Sequence, residues 1–573
     1  MYKNKFIRSK SQLQVVALFF IGLLCGGCST EKDEQGGNNI KTSFSVSLDN
    51  KKYENKEQQV LVPVKGNTYA LTIETEPEVS WKIIFGEETP EGFFSLSSTS
   101  GQGNANIEMV VSPKPENVNM RKGSIQITNS VNKTVVIYDL QQSEKQLVFP
   151  EDLMNQNPED FLKRDTRYNI YHMIEGPNVA VLYDSKWGNK PESDTQLPLD
   201  REKALRYAED IYTWMIDEAG FTNWTTSEAA KYKMLVFVEY SGEGGAVGFG
   251  RPNVGVLIVK QPGIMSVNKY GLPGVLQHEI MHSFQYITHY DGAYNYGWSG
   301  PIYEMTSQWS LFHRWADWPD LEYGHFKDFM KGTYKAFMHE DNQYHSPYVL
   351  AYWEWKRPRM VSRLWQGNME ADQQDPVQTY KRLNNMSQEE FNDEMFEGVC
   401  RFVTWDLSER VKEANAHHID KHQYKLDRIS TTNRYRIAPE NAPQNYGYNC
   451  IKLKVPAAGT TVTIDFTGLL NVTGYKIKER QHAGWRYGFV ALKKNGERVY
   501  GEMGKEQEKT LSFTVPEGGV QCLWFVVMGA PTTHWKHIQS KKDTNGNIIT
   551  DNENNWPWQI ALTGTEPIAP EML

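Results

Sequence analysis

Cysteine is scarce in this sequence: there are five in 573 residues, and only Cys400, Cys450 and Cys522 lie beyond the first 28. Three thiols, far apart and odd in number, exclude a disulfide framework or a cysteine-based zinc site and read as buried, inert groups. An excess of positive charge is missing too. Lys and Arg number 61 against 70 Asp and Glu, for a formal charge of −9, so no basic stripe is on offer and a nucleic-acid partner is not expected. Long apolar runs are also lacking. The run Val15–Leu24 is about half of the ~20 residues that a bilayer span requires.

What is present begins at the N-terminus. Lys3, Lys5, Arg8 and Lys10 precede that apolar run, which ends in small residues directly before Cys28. The stretch "CGGC" resembles the lipobox of bacterial lipoproteins, and the resemblance implies a leader over 1–27 and an acylated Cys28, so that a lipid anchor alone holds the chain at a membrane. Residues 28–42 are polar and acidic, a solvated tether similar to the export signals of Bacteroidetes surface lipoproteins. That likeness implies an outer-membrane protein exposed at the cell surface. Aromatic residues make up 12% of the chain, which suits large cores and is compatible with sugar stacking.

Length predicts several domains. Over 43–146, short alternating runs such as "YALTIETE", "SWKIIF" and "GSIQITNS" predict a β-sandwich. The order of Trp81, "SSTSGQGNANIEMVV", "RKGSIQIT" and a last strand ending "DLQQS" resembles the BACON domain of Bacteroidetes surface proteins, which implies a spacer or a glycan-binding module. Over 147–432 the period changes. Asp200 caps a predicted helix through Ala204, Ala208, Ile211 and Met215, "YKMLVFVEY" and "VGVLIV" are predicted strands, and Ser387 with Glu390 forms a capping box. These elements predict an α+β domain. Over 433–573 alternation returns, predicting a second β-sandwich or jelly roll.

The chemistry concentrates in "GVLQHEIMHSFQY". His278 and His282, four apart, stand on one face of a helix, and Glu279 lies beside that face where it can take a proton from a metal-held water. This five-residue pattern also arises by chance, so a third ligand decides. Gln285 and Thr288 occupy the places where a metzincin has glycine and histidine, which excludes that arrangement. Glu304 lies about twenty residues downstream in "GWSGPIYEMTSQWSLFHRW", on a second helical pattern with no Lys or Arg within a turn to pair with it.

Together the two motifs resemble the gluzincin metallopeptidases, including bacterial mucin-active ones, over Leu147 to about Arg410. The resemblance implies Zn2+ held by His278, His282 and Glu304, with Glu279 as general base, and a protein or glycoprotein substrate. It further implies that strand Val254–Val259 is the edge strand along which a peptide lies. Gln308 stands where some gluzincins carry an acid that orients a histidine. For the oxyanion donor, "NQYHSPYVLAYWEW" offers His345, Tyr348 and Tyr352, of which Tyr348 is the expected catalytic partner of Glu279. Two other readings stand beside this one. The first is a non-catalytic glycan-binding lipoprotein with a degenerate or structural zinc site, making glycan contact through its β-sandwiches. The second is a glycoside hydrolase using two carboxylates.

Overall fold

Alternating burial along Asn67–Thr75, Ser80–Phe85 and Ala105–Val111 gives strands whose every second side chain faces inward. The computed structural model describes residues 44–570 except 50, 53–56, 63–65, 88, 116–119, 131–132, 144, 223–226, 295, 297–299, 369–374, 430–432, 539–540, 543, 545–547 and 551. The expected leader, tether and Cys28 lie outside the described residues. Two five-stranded sheets make up the N-terminal part. One orders Lys51–Lys52, Phe44–Leu48, Asn67–Thr75, Ala105–Val111 and Phe94–Leu96. The other orders Glu57–Val62, Lys133–Ser143, Met120–Asn129, Ser80–Phe85 and Ser100–Gln102. Leu71, Ile73, Ile107, Ile125 and Ile127 meet between them, and Trp81 closes the core with its indole N–H donated to the Gly103 carbonyl at 3.0 Å.

The middle of the chain builds one mixed sheet in the order Met173–Glu175, Val179–Tyr183, Met234–Glu239, Val254–Lys260, Ala246–Arg251. The three inner strands are parallel and the two outer ones antiparallel to their neighbours. Inner strands covered on both faces need apolar side chains throughout. Accordingly, Val181, Val236 and Val238 face a helical layer, while Leu182, Leu235 and Phe237 face the segment carrying Leu153, Phe161 and Tyr168. Strand Val254–Lys260 is therefore interior, which corrects the expectation that it forms the edge. The chain doubles back at Asn253, whose φ of +70° makes the tight turn, and Ala246–Arg251 becomes the outermost strand.

Helix Arg201–Asp217 starts where expected, with the Asp200 carboxylate accepting from the Lys203 amide at 3.0 Å. Ser387 and Glu390 cap Gln388–Phe402 reciprocally. Helices Gly274–Tyr290 and Pro301–Arg314 pack against each other in the same layer.

The C-terminal part again pairs two sheets. The first runs Leu426–Arg428, Arg434–Ile437, Trp558–Thr563, Thr461–Gly468, Glu508–Thr514, and so begins slightly before the boundary at 433. The second runs Tyr448–Leu453, Val520–Gly529, Trp485–Lys493, Arg498–Tyr500. Ile451, Phe489, Phe525 and Val527 fill the space between the sheets. The opposite face of the second sheet is apolar as well: Cys450, Val490, Trp524 and Val526 belong to the same core as Phe396, Val399, Cys400 and Trp405 of the helical layer. The helical layer and the C-terminal sheets thus share one core. Cys400, Cys450 and Cys522 are buried free thiols. Among the described residues no helix is long and apolar enough to cross a membrane.

Polar groups reinforce that joint. Arg486 pairs with Asp393 at 2.6 Å, and the buried His534 with Asp375 at 3.1 Å. His537 lies between Glu340, at 2.8 Å, and Glu553. Burial opposes a charge on His537, but its hydrogen bonds to the two carboxylates outweigh that and raise its pKa to about 9. A raised folded-state pKa contributes stability that is complete below the ordinary histidine value and is lost as pH climbs through the raised one. We therefore expect His537 to contribute about 2–3 kcal/mol of stability that is lost between about pH 6.5 and 9. A His537→Gln variant should lack this loss when chemical denaturation is followed across that range. Equal losses in both proteins would remove His537 from the account.

Candidate metal centre

The site is assembled where strand Ala246–Arg251 lies across helix Gly274–Tyr290. That crossing requires glycine. A Cβ on Gly248 would sit 1.9 Å from the Glu279 carbonyl oxygen and 2.9 Å from His282 Cβ, and one on Gly250 would sit 2.7 Å from Tyr286 Cβ. The strand therefore comes close enough for the Gly248 amide to donate to Glu279 Oε2 at 2.6 Å, which fixes the carboxylate beside the two histidines. The helix is anchored from behind by Leu276, Ile280, Phe284 and Ile287, so His278 and His282 border buried surface and are themselves buried. The second helix opens with Pro301 and buries Met305, Trp309 and Phe312, which turns Glu304 toward the histidine pair.

Three donor atoms converge there. Glu304 Oε2 is 2.9 Å from His278 Nε2 and 3.3 Å from His282 Nε2, and the two Nε2 atoms are 3.2 Å apart. Donors arranged tetrahedrally around zinc, with bonds of about 2.0–2.1 Å, stand about 3.3 Å from one another. The three side chains therefore fit a small divalent ion without rearrangement. Burial by itself would raise the Glu304 pKa, but hydrogen bonds to His278 and His282 prevail and lower it to about 2. For His282 burial works against protonation, and the Glu304 carboxylate outweighs it, so its pKa is raised.

The remaining ring nitrogens are held unequally. His282 Nδ1 donates to Gln285 Oε1 at 2.9 Å, and the Gln285 amide nitrogen donates to the Tyr303 carbonyl at 2.8 Å, which settles the amide's orientation. With its proton on Nδ1, His282 presents the Nε2 lone pair that a metal requires. His278 lacks the equivalent support. Gln308 Oε1 accepts from the Trp318 indole N–H at 2.8 Å, which leaves the Gln308 amide nitrogen, not its oxygen, 3.4 Å from His278 Nδ1.

The oxyanion candidates fall elsewhere than expected. Tyr348 opens helix Tyr348–Lys356 and is 1% exposed, enclosed by Phe312, Trp318, Phe329, Phe402 and Trp405. Its hydroxyl has no hydrogen-bond partner, so the structure corrects the assignment of Tyr348 to catalysis. Tyr352 points into the same core. The tyrosine that reaches the site is Tyr344. Its ring stacks between His278, at 6.4 Å, and His325, at 5.6 Å, and burial, with the charges of Glu304 and Glu279 nearby, raises the pKa of its hydroxyl. His345 sits behind, its Nδ1 3.2 Å from that of His325. Burial raises the pKa of the nearby Glu322 to about 7. Sequence reasoning missed Gly248, Gln285 as an orienting group, and Tyr344. Gln285 was within reach, since it stands three residues after His282 on the same helix.

The model of the family of unknown function DUF6055 matches residues 139–569, well over half of the chain. No curated protein matches. Among solved structures, a functionally unknown conserved protein from Bacillus anthracis str. Ames shares 10% identity over 77% of this chain and 91% of its own, with a TM-score of 0.27. WR4, a C. elegans MSP family member, shares 11% identity over 17% of this chain and 96% of its own, with a TM-score of 0.12. At these scores neither likeness bears on fold or function.

The unequal support of the two histidines makes a prediction. A Gln308→Glu carboxylate accepts from both Trp318 and His278, which places the His278 proton on Nδ1. Zinc affinity, measured by competition with a chromophoric chelator, should rise about 10-fold. Unchanged or weaker binding would show that Gln308 does not limit the site.

Proposed function

The chain belongs to DUF6055, and we propose that it is a zinc-dependent endopeptidase of gluzincin type acting on extracellular protein or glycoprotein, mucin-like substrates included. The observation that carries this reading is the convergence of His278, His282 and Glu304 on one point, with Glu279 oriented beside them by the Gly248 amide. In this reading the middle of the chain is a zincin-like catalytic domain. The N-terminal sheets are a BACON-like module that spaces the catalytic domain from the membrane or contacts glycans, and Cys28 carries the lipid that holds the protein at the cell surface.

His278, His282 and Glu304 are the residues to hold the ion, which supplies Lewis-acid polarisation and makes a nearby water more acidic. Glu279 does the proton work. One of its oxygens is held by the strand amide, and the other is free to take a proton from water and return it to the departing amine. Tyr344 is the hydroxyl placed to donate to a developing oxyanion. The outer edge of Ala246–Arg251 ends the sheet, so an extended peptide can add to it through main-chain hydrogen bonds, as in other strand-addition complexes.

The second reading, a glycan-binding lipoprotein with a degenerate site, is favoured by one observation: the Gln308 amide nitrogen facing His278 works against the tautomer that binds metal. Hydrolysis decides between them. With casein and a mucin-type glycoprotein as substrates, Glu279→Gln should lower the rate at least about 100-fold while the metal stays bound. Tyr344→Phe should lower kcat with little change in KM. Tyr348→Phe should leave the rate unaltered and match or raise the thermal midpoint, because it removes a buried hydroxyl without a partner. Cleavage by Glu279→Gln at the parent rate, or a larger loss in Tyr348→Phe than in Tyr344→Phe, would refute the assignment.

A further inference from the structure

Away from this centre, a second group of metal-type donors joins the short helix Trp318–Leu321 to the 3-10 turn Ala416–His418. Asp320 Oδ1 is 3.0 Å from His417 Nε2 and 2.8 Å from His418 Nε2, and the three donor atoms lie within 4.8 Å of one another. Consecutive residues of a 3-10 turn point about 120° apart, so two neighbouring rings do not ordinarily reach one atom. Here they do, with ring centroids 4.0 Å apart. We propose that Asp320, His417 and His418 form a second binding site for a borderline divalent transition metal of the zinc, nickel or copper class.

The site is formed in advance by contacts that need no ion. Asn415 donates its side-chain amide to the Ala316 carbonyl at 2.8 Å, and the His418 amide donates to the Asn415 carbonyl at 2.9 Å, so both segments are already docked. His418 is anchored against the Phe326 ring at 4.5 Å with its side chain only 7% exposed. His417 and Asp320 are open at 58% and 38%, which gives an ion a path in and room for water ligands. Two imidazoles with one carboxylate select zinc, nickel or copper over calcium or magnesium. Asp320 lies two residues after Trp318, whose indole orients Gln308, so an ion here also pins the segment that borders the first centre.

The alternative is a carboxylate that merely accepts two N–H groups, and metal counting separates the two. The full chain is stripped with chelator, dialysed against micromolar free Zn2+ and assayed by mass spectrometry, beside Asp320→Asn and His417→Ala. Asparagine keeps an acceptor oxygen for the histidines but loses the charge. We expect each variant to carry one ion per chain fewer than the parent, with the second dissociation constant weakened at least 10-fold and the thermal midpoint in chelator unchanged. Because the readout is a difference, it holds whether or not the first centre also fills. Equal metal content and affinity in parent and both variants would reduce the cluster to a hydrogen-bonded triad only and overturn the proposal.

Discussion

The contact between strand Ala246–Arg251 and helix Gly274–Tyr290 is the constraint on which the rest of the site depends. A strand with ordinary side chains cannot come this near a helix. With only hydrogen at Gly248 and Gly250, the backbone presses onto the helix between Glu279 and Tyr286. Three consequences follow from one short approach: Glu279 gains an amide donor, His282 is covered, and the outermost edge of the sheet runs alongside the histidine pair. Crowding at Gly248 would involve backbone atoms, which cannot swing away as a side-chain end can, so the strand itself would have to retreat. The Glu279 carboxylate would then lose its partner.

Behind the helix pair, a single apolar core runs from the mixed sheet, through the helices, into the outer face of the Val520–Gly529 sheet. A close-packed interior transmits displacement, because cavities and overlaps both cost on the order of 1–5 kcal/mol. Tyr348 shows what this packing does to a reactive residue type: five aromatic rings surround it, and its hydroxyl serves no chemistry. The region that matches the family model takes in the C-terminal sheets as well as the helices, in keeping with one folding unit, whereas the N-terminal sheets have a core of their own.

Periodicity made much of this visible in the sequence. The capped helices at Arg201 and Gln388 begin where Asp200 and Ser387 predict, and the two-histidine helix and the Glu304 helix lie where apolar spacing placed them. What stayed hidden was tertiary. "AVGFGR" carries too much glycine to read as a strand, so its place at the sheet edge went to Val254–Val259. Nothing in the local sequence shows which way Tyr348 and Tyr352 turn on their helix, and both turn inward. Tyr344, in the irregular stretch before Pro347, had no periodic signal. Gln308 stands where an acid would orient a histidine, and only the position of Trp318 shows that its oxygen is already engaged.

The central claim is that His278, His282 and Glu304 bind one ion together. The most direct test is zinc content by mass spectrometry on the full chain in detergent, equilibrated at nanomolar free zinc, beside Glu304→Ala. The account predicts one zinc per parent chain and a sharp reduction in the variant. No zinc in the parent, or the same amount in both proteins, would contradict it and leave "HEIMH" as a packed helix with a hydrogen-bonded polar cluster at its surface.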